Sequence, residues 1–482
     1  MNIVEPILFH ARRQPEAPAL CAQGIDVVSY GRLAAQMNTI AHRAVSFGLK
    51  RGSVVALSFD EPLLNAVTIL GLTQAGIIPV SVAGYPPPPG LKIDAVISTG
   101  RYPFAPEAQH LTFDQSWMQL SHSQVEISPR GAAASDEVCR IVLTSGTTGN
   151  SKAVALTHGA TLARTARFEF VFGNRLPTLS RLYMNMGLAA SLGYQFLIYI
   201  LQRGGTVFFY GNNVENTLRS FEIFRIQAML ATPATLAQLL TRCDQHPSID
   251  IHLDTILSGG SLLPRTLSER VRPRLCSHLI TCLGTTETGQ IATAAAHRIA
   301  HIEGAAGFLT PGARIEIVDD ADRPVPAGVE GTVRVATEVG VDSYIDDPVE
   351  SARVFRDGWF YPGDIGSLTL DNLLIISGRR SDLLNAGGGK MAAEKLENIL
   401  LSFAGVREAA VFMKTSALGV EEVWATIVCG EKIDDEALRA HCRTRMPAVF
   451  VPAHIVAVDA LPINAAGKVD RPRVRDMFGG RA

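Results

Sequence analysis

The sequence predicts an α/β fold, with a large N-terminal domain of α/β layers, a small β subdomain within it, and a small α+β C-terminal domain. Three observations lead there. Helix-spaced apolar residues alternate with short buried-strand runs through residues 1–80, an order that favours a parallel sheet covered by helices. From Gly307 the pattern shifts to short strands divided by turns. A further break near Gly378–Asp382 opens a segment with its own strands and helices, so the expected domains are 1–378 and 379–482.

Composition narrows the class. A chain of 482 residues is too long for one core, and 47% hydrophobic against 19% charged residues describes a folded globular protein. The formal net charge of −2 leaves no basic footprint for nucleic acid. Seven cysteines (Cys21, Cys139, Cys243, Cys276, Cys282, Cys429, Cys442) are scattered without CxxC spacing, which reads as reduced thiols rather than disulfides or a zinc site. Glu5 and Pro6 interrupt the N-terminal run, so a signal peptide is not expected. The most apolar stretch, Gly187–Leu201, contains Ser191, Tyr194 and Gln195 and falls short of a membrane span. The expectation is a cytoplasmic enzyme.

In chain order, Leu33, Met37, Ile40, Ala41 and Ala44 share one face of a helix over Tyr30–Phe47. Leu49–Asp60 reads as a turn at Arg51–Gly52 and then a strand; Asn65–Ala75 reads as a helix and Gly76–Val82 as a strand. The prolines of Gly84–Gly90 demand a loop before a strand at Asp94–Ser98, and 100–137 has no clear assignment. Thr157 suits the cap of a helix opened by His158, a histidine expected to be structural. Met184–Leu201 reads as one buried helix and Gly204–Tyr210 as a strand. Helices at Phe221–Ala228 and Thr235–Leu240 flank a strand at Met229–Ala231. Strands at Thr255–Ser258 and Leu279–Leu283 end in Gly259–Gly260–Ser261 and in GTTETG, small and hydroxyl residues where open α/β sheets bind ligands. Ala313–Val318 and Gly331–Val335 are the expected antiparallel strands. Lys395–Leu401, Ala409–Phe412, Val423–Val428 and Asp435–Met446 supply the C-terminal elements.

The chemistry concentrates in a few strings. Leu143–Val154 reads LTSGTTGNSKAV: an apolar run stops at a loop whose glycines allow backbone N–H groups to face an anion, and Lys152 adds a compact positive charge. Its spacing does not fit the Walker A pattern. An ordinary surface turn shares this composition but rarely this string. The string resembles the phosphate-binding signature TSGTTGxPKG of the adenylate-forming superfamily, with Ser151 in place of Pro and Ala153 in place of Gly.

Four further motifs resemble that family in the same order. GTTETG (Gly284–Gly289) is similar to YGxTE, with Leu283 where an adenine-stacking aromatic usually stands. DGWFYPGDIG (Asp357–Gly366) is similar to GWxxTGD, and GRRSDLLNAGGGKMAAEKLE (Gly378–Glu397) to the hinge motif, with Asn385 in place of a usual lysine. Met446–Arg471 is similar to LPxYxVP…LPxxxxGKxxR. By this resemblance the chain is an acid–thiol ligase of the acyl-CoA synthetase kind, using ATP and Mg²⁺ to form acyl-AMP and then a thioester.

The resemblance also assigns roles. Thr144, Ser145, Gly146, Thr147, Thr148, Gly149 and Lys152 would hold phosphate, with Gly260, Ser261, Gly284, Thr285, Asp364 and Arg379 around the nucleoside. Thr286 would contact phosphate, Glu287 and Thr144 would face Mg²⁺, and Lys468 would be the adenylation lysine. Asp382 would be the hinge of a mobile C-terminal domain, and Gly387, Gly388 and Gly389 would line a thiol channel. Coenzyme A is the expected thiol; a separate carrier protein is the alternative acceptor, and a non-catalytic nucleotide-binding relative the alternative class. No carrier-protein phosphopantetheine site is expected after Lys468. Met184–Phe196, aligned with the acid-binding stretch, has no acidic residue to hold an ammonium, so a neutral, largely apolar acid is expected rather than an α-amino acid.

Overall fold

The computed structural model describes the chain except residues 23–25, 83–86, 89, 101, 120–132, 145–150, 210–219, 247–250, 387–388, 416–420, 431–432, 464–468 and 479–482. Its first layer is a six-stranded sheet in the order Gln109–Thr112, Ala95–Ser98, Val54–Ser58, Ile78–Ser81, Val138–Thr144, Lys152–Thr157. Every neighbouring pair is parallel except the last, an antiparallel hairpin. The predicted helices stand at Tyr30–Ser46, where the Ser29 side chain accepts from Arg32 N–H, and at Pro62–Gln74, capped by Glu61.

The second layer is a fifteen-stranded sheet. Its parallel half runs Cys276–Thr285, Leu253–Gly259, Ala228–Ala231, Arg181–Met184, Thr206–Phe209, Pro18–Ala22, with Asp26–Ser29 antiparallel at the edge. Its other half is antiparallel and includes Gly289–Ala295, Ala305–Leu309, Leu373–Arg379, Asp364–Leu368 and Gly331–Thr337. The expected β subdomain is therefore continuous with the parallel core, because Cys276–Thr285 hydrogen-bonds to both halves. One hydrophobic cluster joins the two layers: Val55 and Leu57 of the first, Leu182 and Leu230 of the second, and Phe196 and Leu197 between them.

Met184–Leu201 is not one helix. Met184 ends a strand, and the helix starts at Ser191. Asn185 N–H still donates to Leu230 O (2.9 Å), so the chain leaves the sheet only after that bond. Gly193 then packs against the turn, where a Cβ would meet Gly187 O at 2.7 Å.

The C-terminal strands Val406–Thr415, Glu421–Cys429 and His454–Ala457 form a separate sheet, reached through a ribbon of Leu383–Ala386 and Gly389–Ala392. Helices Ala393–Leu401 and Asp435–Arg443 cover it around a cluster that includes Leu396, Val411, Ala425 and Leu438. All seven cysteines carry free thiols, six buried and Cys429 half-buried. Among the described residues no helix is long and apolar enough to cross a membrane.

Candidate active site

The hairpin at the edge of the first sheet sets Thr144 directly opposite Lys152 at the end where the connecting residues begin. Of the predicted phosphate loop, Ser145, Gly146, Thr147, Thr148 and Gly149 lie outside the described residues, as do Lys468, Gly387 and Gly388. Lys152 is buried (9% exposed), forms an ion pair with Glu350, and holds Nζ 5.0 Å from the centroid of the Tyr344 ring. Glu350 stands in the first turn of the helix Pro348–Val354, whose cap Asp347 accepts from Glu350 N–H (3.1 Å). Arg353 Nε and Nη2 each donate to the Glu350 carboxylate at 2.6 Å. Those bonds, and then Lys152, hold the Glu350 carboxyl down at about 2.

The second cluster stands on the turn between Cys276–Thr285 and Gly289–Ala295. Thr285 Oγ1 accepts from Thr288 N–H (3.1 Å), and a Cβ on Gly284 would meet Gly289 O at 2.4 Å, so the turn closes only around glycine. Glu287 is 7% exposed, and its Oε1 accepts from Tyr344 OH at 2.8 Å. Burial and the adjoining carboxylate raise the Tyr344 phenol well above its ordinary range, so it stays a donor. Tyr344 therefore joins the Glu287 turn to Lys152. Its segment is pinned by Ile345 N–H to Ala153 O and by Val341 N–H to Glu287 O, both 2.9 Å.

Beneath this turn lies Arg164, a fully buried residue of the helix His158–Phe172. It donates to the carbonyls of Val339 (2.9 Å), Thr286 (3.0 Å) and Glu287 (3.1 Å). Burial brings the guanidinium down to about 10, still charged at neutral pH. The same helix begins as its sequence implies: Thr157 caps it by accepting from Ala160 N–H. His158 Nδ1 accepts from Ile3 N–H (3.2 Å), and burial pushes its pKa down to about 4, which suits a neutral structural imidazole.

On the second sheet Gly259 pairs with Cys282, so the chain leaves one strand at Gly260–Ser261 beside Leu283–Gly284, which continue the neighbouring strand to Thr285. Leu283 itself is half-buried against the cluster containing Ile291 and Ile315. Asp364 and Arg379 face each other across adjacent strands and form an ion pair at 3.2 Å. Asp382 closes the short turn Arg380–Asp382, and Arg471 binds it at 3.2 Å together with Glu394 (3.6 Å) and Glu397 (2.6 Å). Arg471 follows the bridge Ile463–Val469 that closes the 464–468 loop. Burial pushes Glu394 up to about 7. Its Oε2 lies where a Cβ on Gly378 would approach to 2.7 Å, and Gly378 has φ +147°.

Among the described residues no three His, Cys, Asp or Glu side chains gather into a preformed metal site. Glu287 still fits a Mg²⁺ that arrives with phosphate: Tyr344 occupies only Oε1, and this ion commonly takes one carboxylate plus substrate oxygens.

The site thus joins Lys152 and Glu287 through Tyr344, with Thr144 opposite the lysine in the ladder and Thr286 next to the glutamate in the chain. Tyr344, Glu350 and Arg164 were not singled out from the sequence. Nor was Arg140, which is fully buried. Its Nη2 donates to Ser81 Oγ (2.8 Å) and Leu188 O (3.0 Å), its guanidinium lies 5.1 Å from the Tyr194 ring centroid, and no ion pair with a carboxylate forms among the described residues.

Known proteins place this architecture. A family profile of AMP-binding enzymes matches residues 9–344, and one of the AMP-binding enzyme C-terminal domain matches 395–468. The fatty acid–[acyl-carrier-protein] ligase ScoC of Streptomyces coeruleorubidus is 26% identical over 516 residues, covering 99% of this chain and 97% of that protein. A 4-chlorobenzoate–CoA ligase of Arthrobacter is 25% identical over 517 residues, covering 99% and 95%. The o-succinylbenzoate CoA synthetase (MenE) of Bacillus subtilis, solved with the acyl-adenylate intermediate OSB-AMP, superposes with a TM-score of 0.82 at 22% identity, covering 99% of each chain. The chain belongs to the AMP-binding, adenylate-forming enzyme family, and is an enzyme of its acid–thiol ligase class.

Proposed function

We propose that the protein activates a carboxylic acid with MgATP, giving acyl-AMP and pyrophosphate, and then transfers the acyl group to the thiol of coenzyme A, releasing AMP. The observation that supports this reading is the convergence of Lys152 and Glu287 on Tyr344: a buried cation and a buried carboxylate share one wall, as a phosphate and its Mg²⁺ would require. In the first step a carboxylate oxygen attacks the α-phosphorus and pyrophosphate leaves. Lys152 and Thr144 with the 145–149 loop would hold the β- and γ-phosphates, Thr286 the α-phosphate, and Glu287 the Mg²⁺ that neutralises the departing charge. Asp364 would accept the ribose hydroxyls, with Arg379 fixing its orientation at 3.2 Å. Lys468 would balance charge on the α-phosphate and the attacking carboxylate. In the second step the thiolate sulfur attacks the acyl carbon and AMP leaves with the bonding pair, after the C-terminal domain has turned about Asp382 and brought the Gly387–Gly389 loop to the acid. Positioning and charge neutralisation supply the catalysis, with no protein nucleophile.

The acid carries no ammonium group. Met184–Phe196 offers no carboxylate to pair with one, and Arg140 adds a buried positive charge under the same stretch. A carrier protein is the second reading for the acceptor, favoured by the full-length match to an acyl-carrier-protein ligase. The test measures pyrophosphate release over a panel of fatty, aryl and amino acids, followed by thioester formation with coenzyme A and with purified carrier proteins. Saturable release with amino acids alone overturns the acid assignment. Transfer to a carrier protein but not to coenzyme A replaces the first acceptor with the second.

A further inference from the structure

Lys152 is not waiting unpaired for a phosphate. It is paired with Glu350, and both side chains are largely buried, at 9% and 13% exposure. Glu350 is in turn gripped through both oxygens by Arg353, which is 62% exposed. The three charges form a row, Lys152⁺–Glu350⁻–Arg353⁺, running from the phosphate loop to the surface.

Such a row has an asymmetry. If Lys152 turns to a polyphosphate, Glu350 keeps its two bonds to Arg353 and is not left as an unpaired buried carboxylate. Tyr344 lies beside the lysine throughout, its ring at 5.0 Å and its hydroxyl bound to Glu287. The helix bearing Glu350 is fixed to the same wall, since Ser351 Oγ accepts from Tyr344 N–H (2.9 Å) and donates to Asp347 O (2.6 Å). Glu350 therefore remains in place when its partner leaves.

We infer that Glu350 is the resident counter-ion of Lys152, a positioning residue that holds the lysine at the site and competes with the polyphosphate for it, while Arg353 sets how strongly it competes. This rests on the ATP reading above. Removing the Glu350 charge frees Lys152 and removes a repulsion, so polyphosphate binds more tightly. Removing Arg353 leaves Glu350 with Lys152 as its sole cation, so polyphosphate binds more weakly. A structural brace would give one sign for both changes; a competing counter-ion gives two.

The experiment measures binding of magnesium pyrophosphate and of MgATP by calorimetry to the wild-type chain, Glu350→Gln and Arg353→Gln, with circular dichroism to verify folding. Glu350→Gln should lower the dissociation constant of pyrophosphate by roughly three- to thirtyfold, the range spanned by ion pairs of this burial. Arg353→Gln should raise it by roughly two- to fivefold, as expected for a more exposed partner. Weaker or unchanged binding in folded Glu350→Gln overturns the inference while leaving the ATP reading intact. Tighter binding in both variants removes the role given to Arg353. No binding of either ligand by the wild-type chain removes the ATP reading and this inference together.

Discussion

Replacing Arg164 by methionine keeps most of the side-chain volume and deletes the three bonds that hold the Glu287 turn from below. Bonds from a charged donor are worth about 1.5–3 kcal/mol each, though bonds from one guanidinium are not additive, so the gross loss is about 4–6 kcal/mol. Against this, the fall of the guanidinium to about 10 marks about 3 kcal/mol of desolvation that methionine does not suffer. The net destabilisation should be about 1–3 kcal/mol, read from the midpoint of urea unfolding. The functional effect should exceed what that loss implies, because Thr286 and Glu287 would no longer be fixed to a fraction of an ångström. We expect the KM for MgATP and the Mg²⁺ concentration for half-activity to rise about tenfold, with kcat falling by a similar factor. Arg164→Lys should recover stability more than kinetics, since an ammonium cannot span three carbonyls arranged for a planar fork. A folded Arg164→Met variant with wild-type KM and Mg²⁺ dependence would refute this reasoning.

The remaining expectations concern the C-terminal region. Lys468→Ala should lose about two orders of magnitude in acyl-AMP formation, yet convert supplied acyl-AMP and thiol to thioester at near the wild-type rate. Asp382→Pro should do the reverse, because a fixed φ obstructs turning; equal losses in both half-reactions for either folded variant would count against a turning domain. Glu394 is raised to about 7, so it favours the folded state while protonated, and that contribution is lost as pH rises through about 7. Glu394→Gln should therefore unfold at a higher temperature than wild type at pH 8, with the difference closing below about pH 4, where the carboxyl is neutral in both folded and unfolded chains. A constant difference across that range would show that the carboxyl does not titrate as its burial implies.

Local chemistry was legible in the sequence where a short segment decides its own conformation. Thr157 before His158 marked a helix start, and the apolar face of Tyr30–Phe47 marked a helix, because capping and periodicity act within a few residues. Met184–Leu201 misled because strand, turn and helix there are all buried, and a segment apolar on every side carries no period to separate them. The continuity of the two halves of the large sheet was hidden for a different reason. Alternation reports that Ala313–Val318 is a strand, not which edge the neighbouring strands will join. In the site, Lys152 and Glu287 could be read because their motifs are contiguous. Tyr344, Glu350 and Arg164 belong to the same cluster through contacts 57 to 198 residues apart in sequence, and nothing in their immediate neighbours signals those partners. Arg140 could have been noticed as a lone charge within an apolar strand, Val138–Thr144.

The hairpin that pairs Thr144 with Lys152 places different constraints on its loop and on its strand. The phosphate proposed for 145–149 constrains the loop, but for the ladder alone, which ends at the Thr144–Lys152 pair, loop length is a free variable. Parity within the strand is not. Deleting a single residue from Ala153–Thr157 shifts the residues before it by one rung and exchanges their faces, so the ammonium would point away from Tyr344 and Ser151 would take its place. Length variation in descendants of this sequence should therefore be purged from the six residues Lys152–Thr157, even though most of those six touch nothing that reacts.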